Sequence, residues 1–175
     1  MATLHIIAVD AGLEPHALRL AAEAWGADVG VTWVGNSQQI VDCFAGAPRR
    51  DIIVISGHGD ERGLMLPDLA ADLQHRYPYR DVITPDDFRA FLRLDRAVVL
   101  NLACLGGAPA LADAFLASGA SAYSGPAGYP EASAALMYAL EFIYAYLHNG
   151  GYAAAAHRRA ASGDDDRRQF RLYQR

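Results

Sequence analysis

The chain has 175 residues, 53% of them apolar and 20% charged, enough for one domain with a sizeable core. A net charge of -5 argues against a nucleic-acid surface, and the complete absence of lysine excludes a phosphate-loop lysine, a Schiff-base lysine and a lysine general base. No uninterrupted apolar run reaches membrane-spanning length, so no membrane contact is expected.

Residues 3–10, "TLHIIAVD", read as a strand rather than as a signal peptide, because no basic stretch precedes a short apolar run. Helical spacing follows over 14–26 and closes on Gly26. Residues 27–35 form a second strand, and 36–46 a helix with Asn36-Ser37 as its cap and a closing glycine. "RDIIVISGHG" (50–59) is a continuous apolar strand of the kind buried on both faces. The polar segment 60–86 holds "GLMLP" and "RDVIT", which can form a small hairpin. Thr84 caps a helix over 84–94, with Pro85 at its first position. A fourth strand covers 96–104, a helix 107–119 and a fifth strand 120–125. A long helix runs from Glu131 to His148, a shorter one over 152–162, and a charged tail follows. Strand and helix alternate throughout, which predicts a three-layer α/β sandwich. Its mainly parallel central sheet is expected to have about five or six strands with helices on both faces. One domain is expected over 1–163, with 164–175 a tail that carries no fixed structure.

Two strands end in residues that carry chemistry. One ends Ser56-Gly57-His58-Gly59-Asp60, the other Ala103-Cys104-Leu105-Gly106-Gly107. If both strands are central and parallel, an imidazole and a thiol appear on one edge of the sheet, the minimum for nucleophilic cysteine catalysis. Gly59 lets its N–H approach a substrate closely. The amides of Gly59 and Cys104 can then form an oxyanion hole. Taken singly, a strand-end cysteine is usually a small buried hydrophobe and a turn histidine is usually structural. Chain order discriminates further. A class I glutamine-amidotransferase site has its histidine after the cysteine, whereas here His58 precedes Cys104 by 46 positions, close to the caspase spacing.

"VISGHGDERGLML" followed by "VVLNLACLGGAPALADAFLASGASAYSGP" resembles the caspase-like (clan CD) cysteine peptidases, and within them the bacterial CHAT-type domains most closely. "EASAALMYALEFIYAYLHNGGYAAAAHRRA" resembles the helix pair that closes such domains. The resemblance covers roughly residues 50–161. It implies a thiol protease, a hydrolase in which His58 is general base and acid and Cys104 the nucleophile of a thioester acyl-enzyme. It implies no metal or organic cofactor, and a peptide or protein as substrate. Many basic-specific relatives carry aspartate two residues before the cysteine, where this chain has Leu102. A catalytically silent interaction scaffold is the alternative, and a metal site from Asp10, His58 and Asp60 a third reading.

Other residues have two readings each. Asp60 and Glu61 line a pocket for a cationic group or form a solvated turn. Tyr123 and Ser124 border the cleft and contact substrate, or simply pack. Asp10 ends the first strand in a structural or capping role, and Glu131 favours its helix dipole or contacts substrate. Cys43 reads as core. His5, His16, His75, His148 and His157 show no metal-ligand spacing. The helix 132–147 is apolar nearly all round, which predicts burial on the sheet or a homodimer contact. Two cysteines without a spaced framework fit a reducing cytoplasm, and an alanine-rich, lysine-free composition fits a bacterial genome rich in G and C.

Overall fold

The computed structural model describes residues 1–45 and 50–175. Strand β1 (Thr3–Val9) is followed by α1 (Glu14–Ala24), β2 (Asp28–Val34), α2 (Ser37–Phe44) and β3 (Ile52–Gly57). Next come β4 (Gly59–Asp60), β5 (Gly63–Met65), α3 (Ala71–Gln74), β6 (Val82–Ile83) and α4 (Pro85–Phe91). The chain continues through β7 (Val98–Asn101), α5 (Pro109–Ala117), β8 (Ala122–Pro126), α6 (Ala132–His148), α7 (Ala153–Ala160) and β9 (Phe170–Gln174).

Six strands form the central sheet in the order β2-β1-β3-β7-β8-β9. The first five are parallel, and β9 runs antiparallel to β8. Alternation along each strand sorts the core into two layers. Leu4, Ile6, Ile52, Val54, Val98 and Leu100 face a cluster built with α1, α6 and α7. Ile7, Val9, Ile53, Ile55, Val99 and Tyr123 face the other, built with α2, α4 and α5. The result is the three-layer sandwich. The predicted hairpin exists as β5 against β6, extended by β4 into a second, three-stranded antiparallel sheet.

Local chemistry sets several ends. Asn36 accepts the Gln39 N–H and starts α2. The predicted closing Gly46 of that helix lies outside the described residues. Thr84 and Asp87 form a reciprocal capping box on α4, with Pro85 in the first turn. Strand β7 stops three residues short of Cys104, because the Asn101 side chain takes the Ala103 N–H at 3.1 Å and turns the chain out of the ladder. The short helix α3 has no apolar period and escaped the sequence reading.

The charged tail is a correction. Residues 167–169 make one 3₁₀ turn, and Phe170–Gln174 close the sheet as β9. The cause is tertiary. Phe170 is buried and stacks on Tyr138 at 3.8 Å, and the ladder to β8 satisfies backbone groups that charge density alone would assign to solvent. Helix α6 spends most of its apolar surface inside the chain, through Ala134, Ala135, Tyr138, Ala139, Phe142, Ile143 and Ala145.

Tyr138 also carries a buried polar chain. Its hydroxyl is hydrogen-bonded to Ser124 Oγ and to His157 Nδ1, each at 2.7 Å. Burial, then the charges of Arg171 and Arg158, hold the His157 pKa below its ordinary value. Burial and Arg50 do the same to His5. Both imidazoles are therefore harder to protonate folded than unfolded, so the unfolded chain takes up more protons as pH falls. Their stabilising effect is whole above pH ~6.5 and is lost as pH drops through the lower folded values. Thermal melts should show Tm falling between about pH 7 and pH 5, and less steeply in His157→Gln.

Candidate active site

Strands β3 and β7 are adjacent and parallel, with Ile55 opposite Asn101, so their carboxyl ends share one edge of the sheet. His58 follows β3 directly, and Cys104 stands in the turn after β7. Both line one cleft of about 270 Å³, together with Ser56, Gly57, Leu102 and Leu136. The remaining wall comes from Ala11 and Gly12 after β1, Glu14 at the start of α1, Pro130 ahead of α6, and Ala132 and Ala135 in its first turn. Glu14 is the one carboxylate among the lining residues.

The cysteine turn is held from beneath. Leu102 N–H donates to the Ile55 carbonyl at 2.9 Å, the end of the ladder. The Asn101 amide donates to the Tyr123 hydroxyl at 2.9 Å, and that hydroxyl donates to the Gly106 carbonyl at 2.6 Å. Leu105 takes a φ of 57°, in the left-handed region, and reverses the chain. Gly107 then runs against β8: its N–H donates to the Pro126 carbonyl at 2.7 Å. A Cβ there would sit 2.3 Å from the Gly125 oxygen. Only backbone surrounds it, so nothing can swing aside. Gly107→Ala should cost about 1–3 kcal/mol or more in urea unfolding. Gly35→Ala, whose nearest neighbour would be the Gln39 side chain at 3.6 Å, should be near neutral.

Gly59 has a related constraint, since a Cβ there would lie 2.4 Å from the Cys104 carbonyl oxygen. The segment after His58 thus presses on the cysteine turn, which is how the two chain ends stay together. Burial pushes the Cys104 thiol pKa up, against a smaller opposing pull from its own N–H. That N–H donates to no carbonyl among the described residues. Neither Cys104 nor His58 hydrogen-bonds another side chain among the described residues, so the two are neighbours in one cleft without a direct bond.

The four predicted substrate contacts do not gather here. Asp60 closes the β4–β5 turn. It accepts the Arg62 N–H at 2.8 Å and two guanidinium N–H groups at 2.9 and 2.7 Å, and these bonds hold its carboxyl below the usual range. Glu61 accepts the Tyr129 hydroxyl at 2.8 Å. Neither residue lines the cleft. Tyr123 and Ser124 are fully buried, which corrects their expected contact with substrate. The strand end turns their hydroxyls inward, Tyr123 onto the cysteine turn and Ser124 onto Tyr138. Asp10, with a φ of 50°, is exposed and outside the cleft. Among the described residues no three His, Cys, Asp or Glu side chains converge as metal ligands, so Asp10, His58 and Asp60 do not form a metal donor set.

Asn101 and Tyr129 escaped the sequence reading. A polar residue inside "VVLNLAC" was the available signal for Asn101. Tyr129 had none, because its reach to Glu61 spans 68 residues.

No family model matches the chain, and no curated protein matches it in sequence. Solved structures do. The Arg-specific cysteine proteinase gingipain R of Porphyromonas gingivalis superposes with a TM-score of 0.65 at 12% identity, over 99% of this chain and 46% of that one. Separase of Saccharomyces cerevisiae, in complex with securin, gives 0.62 at 9% identity over 99% and 12% of the two chains. A secreted C11 cysteine protease of Bacteroides thetaiotaomicron gives 0.55 at 11% identity over 99% and 66%. The chain thus spans less than half of gingipain R and a small part of separase. Near-complete coverage at such identities is a likeness of backbone rather than of sequence. By its layers and these superpositions, the chain has a caspase-like fold.

Proposed function

We propose that the chain is a cysteine hydrolase acting on peptide bonds, with Cys104 as nucleophile and His58 as general base and acid. The observation that carries this reading is the shared cleft: the thiol and the imidazole line one cavity at the carboxyl edge of adjacent parallel strands. Because burial raises the thiol pKa, Cys104 rests protonated. His58 takes the thiol proton as sulfur attacks the carbonyl carbon. The Gly59 and Cys104 amides receive the oxyanion. The C–N bond breaks, His58 protonates the leaving amine, and a thioester remains. Water, deprotonated by His58, attacks the thioester carbon; the C–S bond breaks, His58 returns the proton to the Cys104 sulfur, and the carboxylic acid leaves and ionises in solvent.

The CHAT-type assignment rests on the sequence motifs, the bacterial one on these and the lysine-free, alanine-rich composition, and the cytoplasmic one on two cysteines without a spaced framework. Among the described residues no helix is long and apolar enough to cross a membrane. Homodimerisation through 132–147 has only the exposed Met137 and Tyr144 side of α6 to use.

A catalytically silent scaffold is the second reading, favoured by the protonated thiol and its lack of a bond to His58. Thiol chemistry separates the two. Iodoacetamide should label Cys104 well ahead of Cys43, whose pKa burial also raises, and His58→Ala should slow that labelling. Peptide acyloxymethyl ketones differing in the residue before the scissile bond should form a covalent adduct at Cys104. Equal inertness of both thiols, with no adduct across the panel, rejects the hydrolase.

A further inference from the structure

A cavity of about 590 Å³ lies at the opposite end of the sheet from Cys104. Its origin is the shortness of α2. Eight helical residues cover about 12 Å, whereas the seven residues of β1 extend about 23 Å. Among the described residues α2 therefore spans only part of the length of β1 and β3 on this face. Ile7 and Ile53 form the floor, and Leu94 and Ala97, ahead of β7, form one side.

One wall is polar but uncharged. His5 Nε2 lies 3.0 Å from the Thr32 hydroxyl and 4.0 Å from Cys43 Sγ. Burial and Arg50 keep the imidazole neutral and burial keeps the thiol protonated. The charges stand elsewhere around the cavity: Arg50 and Arg93, Asp42 and Asp95. None of the four forms an ion pair among the described residues. Asp42 accepts only from Gln38, and Arg93 donates to the Leu92 and Ala90 carbonyls.

Two cations and two anions around an apolar floor match a ligand that carries both charges on an apolar body. We propose that this cavity binds a small apolar zwitterion, an amino acid or short peptide with free ends. The ligand carboxylate meets the arginines, its ammonium meets the aspartates, and its side chain lies against Leu94, which is half-buried in the lining. A fatty acid answers the arginines and leaves the aspartates repelling its charge. A peptide blocked at both ends answers neither. The cavity shares no lining residue with the Cys104 cleft, so the proposal stands or falls independently of catalysis.

The test uses the full chain carrying Cys104→Ala, which prevents turnover and leaves Cys43 as the sole thiol. It is titrated with leucyl-leucine, with N-acetyl-leucyl-leucinamide and with decanoate, followed by amide chemical shifts. Leucyl-leucine should move the Thr32, Cys43 and Ala97 signals, leave those around His58 in place, and slow maleimide labelling of Cys43 as occupancy rises. Arg93→Ala and Asp42→Asn, both at exposed positions, should each weaken it about tenfold while the rest of the spectrum stays unchanged. The proposal is overturned if leucyl-leucine moves no cavity signal, if its shifts centre on His58, or if the blocked peptide or decanoate binds as tightly.

Discussion

Replacing Cys104 with alanine is expected to lower peptide hydrolysis by on the order of 10⁴-fold or more, with little change in Tm. The size follows from removing the attacking atom: without it the remaining amides can bind the oxyanion but no covalent intermediate forms. The small effect on stability follows from the site. The thiol is only partly buried and hydrogen-bonds no other side chain among the described residues. The turn around it is held by Asn101, Tyr123 and the Gly107 backbone, none of which touches it through sulfur. Progress curves on a peptide cleaved by the unsubstituted chain, set beside melts of both proteins, separate the two effects. If the alanine variant hydrolyses the peptide at an unchanged rate, the thiol is not the nucleophile.

Phe115→Ala is expected to unfold the chain most readily among single core truncations, by about 3–5 kcal/mol, or a Tm drop of ~10 °C. Phe115 is fully buried on the face built by α2, α4 and α5. Its ring lies 4.8 Å from Tyr123, 5.0 Å from Phe88 and 6.0 Å from Phe44. Those three come from β8, α4 and α2, so one truncation opens a void shared by three elements that cannot close together. The contact with Tyr123 links this core to the cysteine turn through the Gly106 bond. Urea unfolding gives the cost directly. A loss under 1 kcal/mol would mean that the aromatic layer relaxes around the gap.

Period and capping made much of the architecture legible. "DIIVIS" and "AVVLN" are apolar on both faces, which only a sheet covered on both sides accommodates. Asn36, Thr84 and Pro85 mark helix starts by chemistry local to a few residues, and the structure has its helices begin there. Charge was a poorer guide. "GDDDRRQFRLYQR" looks solvated because its seven charged side chains dominate the reading, yet one aromatic, Phe170, binds the segment to Tyr138 and supplies the sixth strand.

The alternation of strand and helix, the two chemically loaded strand ends and their order along the chain are all legible in the residues alone. These are short-range properties, written in side-chain period, caps and glycine breaks. Which residues share a cleft follows from the packing of distant elements. That packing put His58 beside Cys104 because β3 and β7 are neighbours, and turned Tyr123 and Ser124 inward. It also engaged Asp60 and Glu61 with Arg62 and Tyr129, and opened a second cavity where α2 ends before the sheet does. Each of those outcomes depends on partners tens of residues away, or on the length of one element against another. No local pattern encodes such distances.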